Sequence, residues 1–246
     1  MATRPVEGRG VSMSWRGRVL SFAFPKREPV KPAEGDSPAD TFSRVYQGSH
    51  WGRRLGKKFY SGPGSHDPLI IGPYVASVSA FLREFPEPPD VVDLGCGDFH
   101  IGSNLRRDCG RYTACDVVPD LVKYNAARFS DRRVNFQCVD MVDDPLPPGE
   151  VAFIRQVLQH LSNAQIMKIV PKLRQYPVLV VTEHLPAVAG FTPNLDHEFG
   201  SGIRVKRNSG VVLTAPPFKL EVAEERELCC VHAADGAIRT VAYRTR

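Results

Sequence analysis

The sequence predicts an α/β fold, in which a doubly wound, mostly parallel sheet is followed by an antiparallel pair of C-terminal strands. Short apolar segments alternate with segments of helical periodicity between residues 68 and 185. The first apolar segment runs into a glycine-rich turn, Gly95-Cys96-Gly97, of the kind that binds ligands at the edge of such sheets. Residues 218–233 and 237–245 have the composition of two further strands.

The elements follow one another in a β-α-β order along the chain. Strands are predicted at residues 91–95, 112–118, 134–140, 151–155 and 178–184. Helices are predicted at residues 68–85, 101–109, 120–129 with Pro119 and Asp120 at its start, and 162–176 with Pro171 as a kink or break. The fourth strand continues as a loop or short helix to Leu161. This order is typical of a parallel sheet with helices on both faces.

The chain of 246 residues is 42% hydrophobic, which suits a single domain with a sizeable core. Residues 1–40 mix Arg, Gly, Pro, Glu and Ser without periodicity and are predicted to form a flexible N-terminal segment. Asp36 or Ser37 can nevertheless cap a short helix. The single domain is predicted to occupy residues 41–246, starting near Thr41.

Charge and cysteine content exclude several classes of protein. The net charge is +5, and the basic residues are spread along the chain, so nucleic acid is not an expected partner. The six cysteines have no CxxC spacing, which predicts a reducing compartment and no metal site of the zinc type. No apolar run reaches the roughly 20 residues that span a bilayer. Arg16 and Arg18 precede an apolar stretch that is too short for a secretion signal, so we predict a cytoplasmic protein without membrane contact.

The glycine turn predicts a cofactor without phosphates. Gly95 and Gly97 allow the backbone to approach a ligand closely. A dinucleotide fingerprint would place a third glycine at the position of His100, where none is present. Asp98 lies at the start of the next helix, where its charge disfavours a pyrophosphate.

The segment Asp93-Leu94-Gly95-Cys96-Gly97-Asp98 resembles the first motif of the class I S-adenosylmethionine-dependent methyltransferases. Later motifs of that family are also matched in order, by Asp116, which lies 19 residues after Gly97, by Asp140, and by Arg155-Gln156. The resemblance runs from about Val45 to Phe218 and is similar to a bacterial branch that acts on small molecules and sugars. It implies the Rossmann-like methyltransferase fold.

The resemblance also implies the cofactor, S-adenosyl-L-methionine, and the residues that bind it. Asp116 is expected to accept the ribose hydroxyls, and Asp140 is expected to read the adenine amino group with Met141 packing nearby. Gln156 stands where such relatives often have an aspartate, so it supplies no charge. Residues 41–68 are expected to form a lid, although its Gly-Pro-Gly stretch is also common in ordinary surface turns. The full set of expected cofactor-binding residues is Asp93, Gly95, Gly97, Asp116, Val117, Asp140, Met141, Arg155, Gln156, Ser61 and Gly64.

Two histidines are candidates for a catalytic base. His160 follows the expected cofactor residues, and a neutral imidazole is suited to accept a proton, but it equally suits a structural histidine at a helix start. His184 is the second candidate.

The region after the fifth strand is expected to contact the methyl acceptor. Its polar residues are Glu183, His184, Asn194, Asp196 and Arg204. This group suits a polyhydroxylated substrate, and a solvated loop or a set of ligands for a divalent metal remain alternatives.

The resulting hypothesis is an S-adenosylmethionine-dependent methyltransferase that methylates oxygen on a small hydroxylated acceptor, such as a sugar or glycan end. The fourth strand ends in Ile154-Arg155-Gln156-Val157, without the Asn-Pro-Pro-Tyr type of motif that frames an amide or base nitrogen. The alternative is a non-catalytic protein that retains the fold and binds the cofactor or a partner. The oligomeric state is left open.

Overall fold

The computed structural model describes residues 28–233 and 235–246. The first 27 residues, which form most of the predicted flexible segment and include Arg16 and Arg18, lie outside the described residues. Ala234 lies outside them as well.

The described residues form five α-helices and seven β-strands in the predicted order. The helices are α1 (Pro38–Gln47), α2 (Pro68–Leu82), α3 (His100–Leu105), α4 (Pro119–Arg128) and α5 (Asn163–Leu173). The strands are β1 (Val91–Leu94), β2 (Tyr112–Asp116), β3 (Asn135–Cys138), β4 (Val151–Arg155), β5 (Val178–Leu185), β6 (Val222–Ala233) and β7 (Gly236–Thr245). Short 3₁₀ turns at Pro63–Ser65, Leu158–His160 and Arg204–Arg207 contribute to the site described below. Within the described ranges, no helix combines the length and apolar character needed to cross a bilayer.

The seven strands form one sheet in the order β3-β2-β1-β4-β5-β7-β6. The first five strands are parallel, whereas β7 is antiparallel to both β5 and β6. This confirms the predicted doubly wound sheet with its antiparallel C-terminal pair. The strand order reverses between β1 and β4, and in open parallel sheets ligands bind at this reversal, beyond the carboxyl ends of the strands.

The core covers both faces of the sheet, which explains why the central strands are continuous apolar runs. Leu94 and Ile154 are buried on one face, against α4 and α5. Phe153 is buried on the other face, against α2 and α3. The register places Leu94 beside both Cys115 and Ile154, so the ends of β1, β2 and β4 lie together at one edge.

The helix α1 begins at Pro38, directly after Ser37, which is one of the two residues expected to cap a short helix, and its first residues lie within the segment predicted to be flexible. Ser37 and Asp40 form a capping box there, and proline at the first helical position has the backbone angle that a helix needs. The chain before this helix contacts the loop after β5, because Val30 N–H donates to Ser201 Oγ (2.8 Å) and Ser201 N–H donates to Val30 O (3.0 Å).

The helix α5 begins as predicted after Ser162, which forms a capping box with Gln165. Pro171 lies inside the helix and does not break it, since the helix continues to Leu173. Pro171 lies in the last turn of the helix, so the backbone hydrogen bond that proline cannot donate is lost close to the helix end, where the loss affects few following residues.

A matched pair of glycine substitutions tests the packing of α3 beneath the glycine turn. A Cβ at Gly102 would lie 2.3 Å from Phe99 Cε2 and 2.8 Å from Tyr112 Oη, and both rings are buried. We expect Gly102→Ala to lower the free energy of unfolding by about 1–3 kcal/mol through overpacking. Gly72→Ala in α2 meets no heavy atom within 4 Å and should raise it by about 0.5–1 kcal/mol. Urea unfolding measures both values, and equal effects of the two substitutions would contradict this description.

Candidate active site

A cavity of about 600 Å³ lies at the carboxyl edge of β1, β2 and β4, beneath the segment that follows α1. Its volume falls within the range of small-molecule sites. The structure brings all of the expected cofactor-binding residues to its lining, together with both candidate bases. These residues are Ser61, Gly64, Asp93, Gly95, Gly97, Asp116, Val117, Asp140, Met141, Arg155, Gln156, His160 and His184.

The glycine turn is confined by the protein itself. Gly95 and Gly97 have φ angles of 81° and 56°, in the region that favours glycine. A Cβ at Gly95 would lie 2.4 Å from Val157 Cγ2, and a Cβ at Gly97 would lie 2.5 Å from Ser61 Oγ. Glycine is therefore required by contacts with neighbouring segments as well as by backbone conformation.

Asp116 at the end of β2 is tied to the glycine turn. Its carboxylate accepts hydrogen bonds from Gly97 N–H (3.0 Å) and Val118 N–H (3.1 Å). Burial raises the pKa of Asp116 to about 6, although these two N–H donors act in the opposite direction. A carboxylate has about four acceptor positions, so two remain for the hydroxyls of a ligand.

Asp93 supplies a second buried carboxyl group beneath the turn. Tyr112 Oη–H donates to Asp93 Oδ2 over 2.9 Å. Burial raises the pKa of Asp93 to about 7, which means that its protonation changes near neutral pH. Both carboxyl groups are therefore sensitive to a cation placed in the cavity.

Asp140 and Met141 follow β3 on the same rim of the cavity. Val142 N–H donates to Asp140 Oδ1 over 2.8 Å, and burial raises the pKa of this half-buried carboxyl group. Met141 belongs to the apolar core and also lines the cavity. An acceptor oxygen beside an apolar surface suits the amino edge and the face of a purine ring.

Arg155 joins the end of β4 to the overlying segment. It donates to Gly64 O (2.7 Å), Ser65 Oγ (3.3 Å) and Gln156 Oε1 (2.9 Å). Its guanidinium carbon lies 4.8 Å from the centre of the Tyr74 ring. Its Nε is buried without a hydrogen-bond partner in the described part of the chain, so this donor is available to a ligand.

The segment after α1 covers the glycine turn through Ser61. Asp98 N–H donates to Ser61 Oγ over 2.8 Å, and Tyr46 Oη lies 3.1 Å from the same oxygen. His66 adds a contact that the sequence analysis missed, a distance of 2.6 Å between its Nε2 and Asp98 Oδ2. The hydroxyl of Ser61 is thus already used in holding the covering segment to the turn. Direct contact between Ser61 and a cofactor remains a prediction.

His160 lies on the 3₁₀ turn after β4 and is fixed by contacts on both ring nitrogens. Its Nδ1 lies 3.0 Å from Gly202 O, which accepts only if Nδ1 carries the proton. Its Nε2 lies 3.3 Å from Gln159 Nε2 and therefore presents a lone pair. The ring is packed against Trp51, with 5.3 Å between ring centres. Burial lowers the pKa of His160 to about 4, so the imidazole is neutral at physiological pH.

His184, the second candidate base, lies in a different environment from that of His160. It is buried near the end of β5, and burial lowers its pKa. Its Nε2 lies 3.3 Å from Asp235 Oδ1 in the turn between β6 and β7, and the contact lacks hydrogen-bond geometry.

The structure corrects the expected roles of Glu183, Asn194, Asp196 and Arg204, because none of the four lines the cavity. Asn194 donates to Val212 O (2.9 Å) and Pro216 O (2.8 Å), and Asp196 accepts from Asn163 N–H (2.7 Å). Glu183 and Arg204 bond to the backbone of the His160 turn. These four side chains thus form hydrogen bonds with the backbone of the long loop, of the His160 turn and of the start of α5, where N–H and C=O groups need partners. No three His, Cys, Asp or Glu side chains within residues 28–233 and 235–246 are grouped as metal ligands.

Several cavity residues were missed by the sequence analysis. They are Phe42, Tyr46, His50, Tyr74, Gln159, Ser201, Gly202, Ile203 and Lys206. The four-residue spacing of Phe42 and Tyr46 on α1 was a usable signal, since such residues share one face of a helix. Residues 201–203 carry no comparable pattern.

Part of the chain that forms this cavity is similar to a known protein family. Residues 91–176 match the family model described as a methyltransferase domain. This segment, which runs from β1 to just beyond α5, is therefore similar to methyltransferase domains. A curated relative, malonyl-[acyl-carrier protein] O-methyltransferase from Acetivibrio thermocellus, is 34% identical over 59 residues, or 23% of this chain. The match spans only about a fifth (21%) of that relative's length.

Solved structures show the same fold as this chain. The N-methyltransferase NodS from Bradyrhizobium japonicum, in complex with S-adenosyl-L-homocysteine, has a TM-score of 0.59 at 14% identity and covers 82% of this chain and 98% of its own. Magnesium protoporphyrin IX methyltransferase from Synechocystis, with the same ligand, has a TM-score of 0.55 at 13% identity and covers 83% of this chain and 97% of its own. The [4+2]-cyclase SpnF has a TM-score of 0.50 at 18% identity and covers 68% of this chain and 80% of its own. One fold thus serves different chemistries.

Class I methyltransferase domains bind S-adenosyl-L-methionine, and the cavity fits this cofactor. Asp116 and Asp140 offer acceptors at neighbouring strand ends, as a ribose and a purine amino group require. Arg155 Nε is a buried donor without a partner in the described part of the chain, which suits a carboxylate. The raised pKa values of Asp93 and Asp116 are typical of carboxyl groups in a site that binds a cationic ligand.

The affinity for S-adenosylhomocysteine should rise between about pH 5 and pH 8. The ligand's hydroxyls and ammonium group favour ionised Asp116 and Asp93, whose pKa values are about 6 and about 7 in the free protein. Below each pKa, the affinity falls by about tenfold per pH unit, because protons compete with the ligand. Titration calorimetry at several pH values measures the change.

Asp116→Asn should remove the part of this pH dependence centred near pH 6 and weaken binding. The control is Asp131→Asn, at an exposed residue far from the cavity lining, which should keep the wild-type profile. A pH-independent affinity of the wild-type protein would contradict the proposed role of the two carboxyl groups.

Proposed function

We propose that the chain transfers the methyl group of S-adenosyl-L-methionine to a hydroxyl oxygen of a small polyhydroxylated acceptor, such as a sugar or glycan end. One observation carries this proposal: the same cavity is lined by the acids Asp116 and Asp140 and by the neutral imidazole of His160. The cofactor supplies an activated methyl group on a sulfonium. The protein must therefore align the acceptor and take up its proton.

His160 is suited to accept that proton. The hydrogen bond from its Nδ1–H to Gly202 O fixes the tautomer with the lone pair on Nε2, and the acceptor hydroxyl would replace Gln159 Nε2 as the donor to that lone pair. Because burial lowers the pKa of His160 to about 4, the basic form is present throughout the physiological range. S-adenosyl-L-methionine would supply the methyl group and leave as S-adenosylhomocysteine when its S–CH3 bond breaks, and His160 Nε2 would take up the proton of the acceptor hydroxyl. The hydrogen bond to Gly202 O then stabilises the charge that develops on the ring.

The lining around His160 supports a hydroxylated acceptor. Trp51 offers an aromatic surface beside the imidazole, on which a sugar ring can stack. Gln159 has a buried Oε1 without a hydrogen-bond partner in the described part of the chain, and Ser201 and Lys206 add polar groups to the same cavity. Aromatic surface with scattered donors and acceptors is the usual chemistry of a carbohydrate site.

Two measurements test the proposed activity. Calorimetry should detect binding of S-adenosylhomocysteine, and absence of binding at millimolar ligand would refute the proposal. Radiolabelled S-adenosylmethionine should transfer its label to members of a panel of sugars and hydroxylated metabolites. Binding without transfer to any member, or to the hydroxylated fraction of a cell extract, would favour the non-catalytic alternative.

His160→Asn should lower kcat by a factor of about 10² or more, since general base catalysis contributes about 10²–10⁴. Asparagine retains a donor for Gly202 O, so S-adenosylhomocysteine affinity should stay within about threefold of the wild type. His232→Asn, on the edge strand β6, is the matched control and should leave both values unchanged. Undiminished turnover in His160→Asn would transfer the role of base to His184.

A further inference from the structure

We propose that Glu183 and Arg204 form a positioning pair that holds His160 in its catalytic geometry. Neither side chain lines the cavity, and both bond to the turn that carries His160. The inference rests on the proposed role of His160 as base.

Glu183 binds the turn from below, at the end of β5. Its Oε1 accepts Leu158 N–H over 3.2 Å, and its Oε2 accepts Gln159 N–H over 3.1 Å. The side chain is only 3% exposed, so these two donors replace water as its partners. A carboxylate is the only side-chain group that accepts two parallel N–H bonds with two equivalent oxygens.

Arg204 binds the same turn through its carbonyl groups. Its Nη1 donates to Leu158 O (3.1 Å) and Gln159 O (3.2 Å), and its Nη2 donates to Leu161 O (2.6 Å). Further bonds from the guanidinium to Asn163 Oδ1 (3.0 Å) and Leu195 O (3.0 Å) complete its coordination. At 1% exposure, Arg204 is among the largest fully buried side chains in the described part of the chain.

The peptide bond between Leu158 and Gln159 lies between the two charges. Its carbonyl accepts from Arg204, and its N–H donates to Glu183, so both ends of its dipole are engaged by an opposite charge. In a buried environment such charge-assisted bonds are strong and directional. This fixes the orientation of the Leu158–Gln159 peptide, and the bond from Arg204 to Gln159 O extends the restraint to the peptide that joins Gln159 to His160.

The same loop that carries Arg204 also fixes the imidazole. Gly200 N–H donates to His160 O over 2.9 Å, and Gly202 O lies 3.0 Å from His160 Nδ1. The turn and the loop therefore hold each other, and Arg204 is the side chain that joins them. Loss of either charged partner should let the imidazole move relative to the cofactor residues, without altering those residues.

The ionisation of Glu183 should be coupled to this geometry. Burial raises the pKa of Glu183 to about 8, although Arg204 and the two N–H donors lower it. Protonation turns one acceptor oxygen into a donor, which cannot bond to an N–H group. The charged and titratable groups that face this carboxyl are Arg204 from the loop, and Arg239 and Tyr243 from β7.

Glu183→Gln tests the pair by imitating the protonated carboxyl group. We expect kcat to fall about tenfold or more at alkaline pH, and the step in the wild-type kcat profile near pH 8 to disappear. Affinity for S-adenosylhomocysteine should change little, and so should the melting temperature at neutral pH, where the wild-type carboxyl group is largely protonated as well. The control is Glu87→Gln, at an exposed position, which should retain the wild-type pH profile. A profile of Glu183→Gln that keeps the alkaline step would overturn the proposal.

A measurement on the unmodified protein covers the case in which Glu183→Gln does not fold. The imidazole nitrogen signals of His160 should shift between about pH 7 and pH 9, as Glu183 ionises. No such shift of His160 would overturn the pair. Because this readout needs no turnover, it separates failure of the positioning pair from failure of the proposed methyl transfer.

Discussion

The close approach of the glycine turn to its neighbours constrains the whole site. At Gly95 and Gly97 a Cβ would lie within 2.4–2.5 Å of Val157 and Ser61, so the turn, the end of β4 and the covering segment meet without space for side chains. The N–H of Gly97 donates to Asp116, and Val157, which follows β4, packs closely over Gly95. The cofactor residues and the His160 turn take their relative positions from this contact.

The sheet was predictable, and so was the gathering of the expected cofactor residues at one edge of it, because both depend on strand ends. Strands buried on two faces are continuous apolar runs, and the polar residues that end these runs must lie at the carboxyl edge. Asp116 and Asp140 follow this rule directly. The glycines were also predictable, although their physical reason was incomplete: the atoms that exclude a Cβ belong to Val157 and Ser61.

The polar loop after β5 was interpreted wrongly for a reason that sequence alone does not resolve. A polar side chain in a loop can face a ligand or satisfy buried backbone, and both uses select the same residue types. Asn194 illustrates this, because it has a φ of 58° and bonds to the backbone near Val212 and Pro216. The start of α1 shows a related problem, since the cap at Ser37 lies in a stretch whose composition suggests a flexible tail.

The short 3₁₀ turn Arg204–Arg207 combines two kinds of side chain within three residues. Arg204 points into the framework beneath the His160 turn, whereas Lys206, two residues later, lines the cavity. Residues such as Trp51 and Lys206 stand outside the sheet and can vary without disturbing Asp116. The turn thus carries one side chain that is bonded to the framework and one that faces the cavity, so substitution of Trp51 or Lys206 can alter the cavity lining while the bonds of Arg204 stay in place.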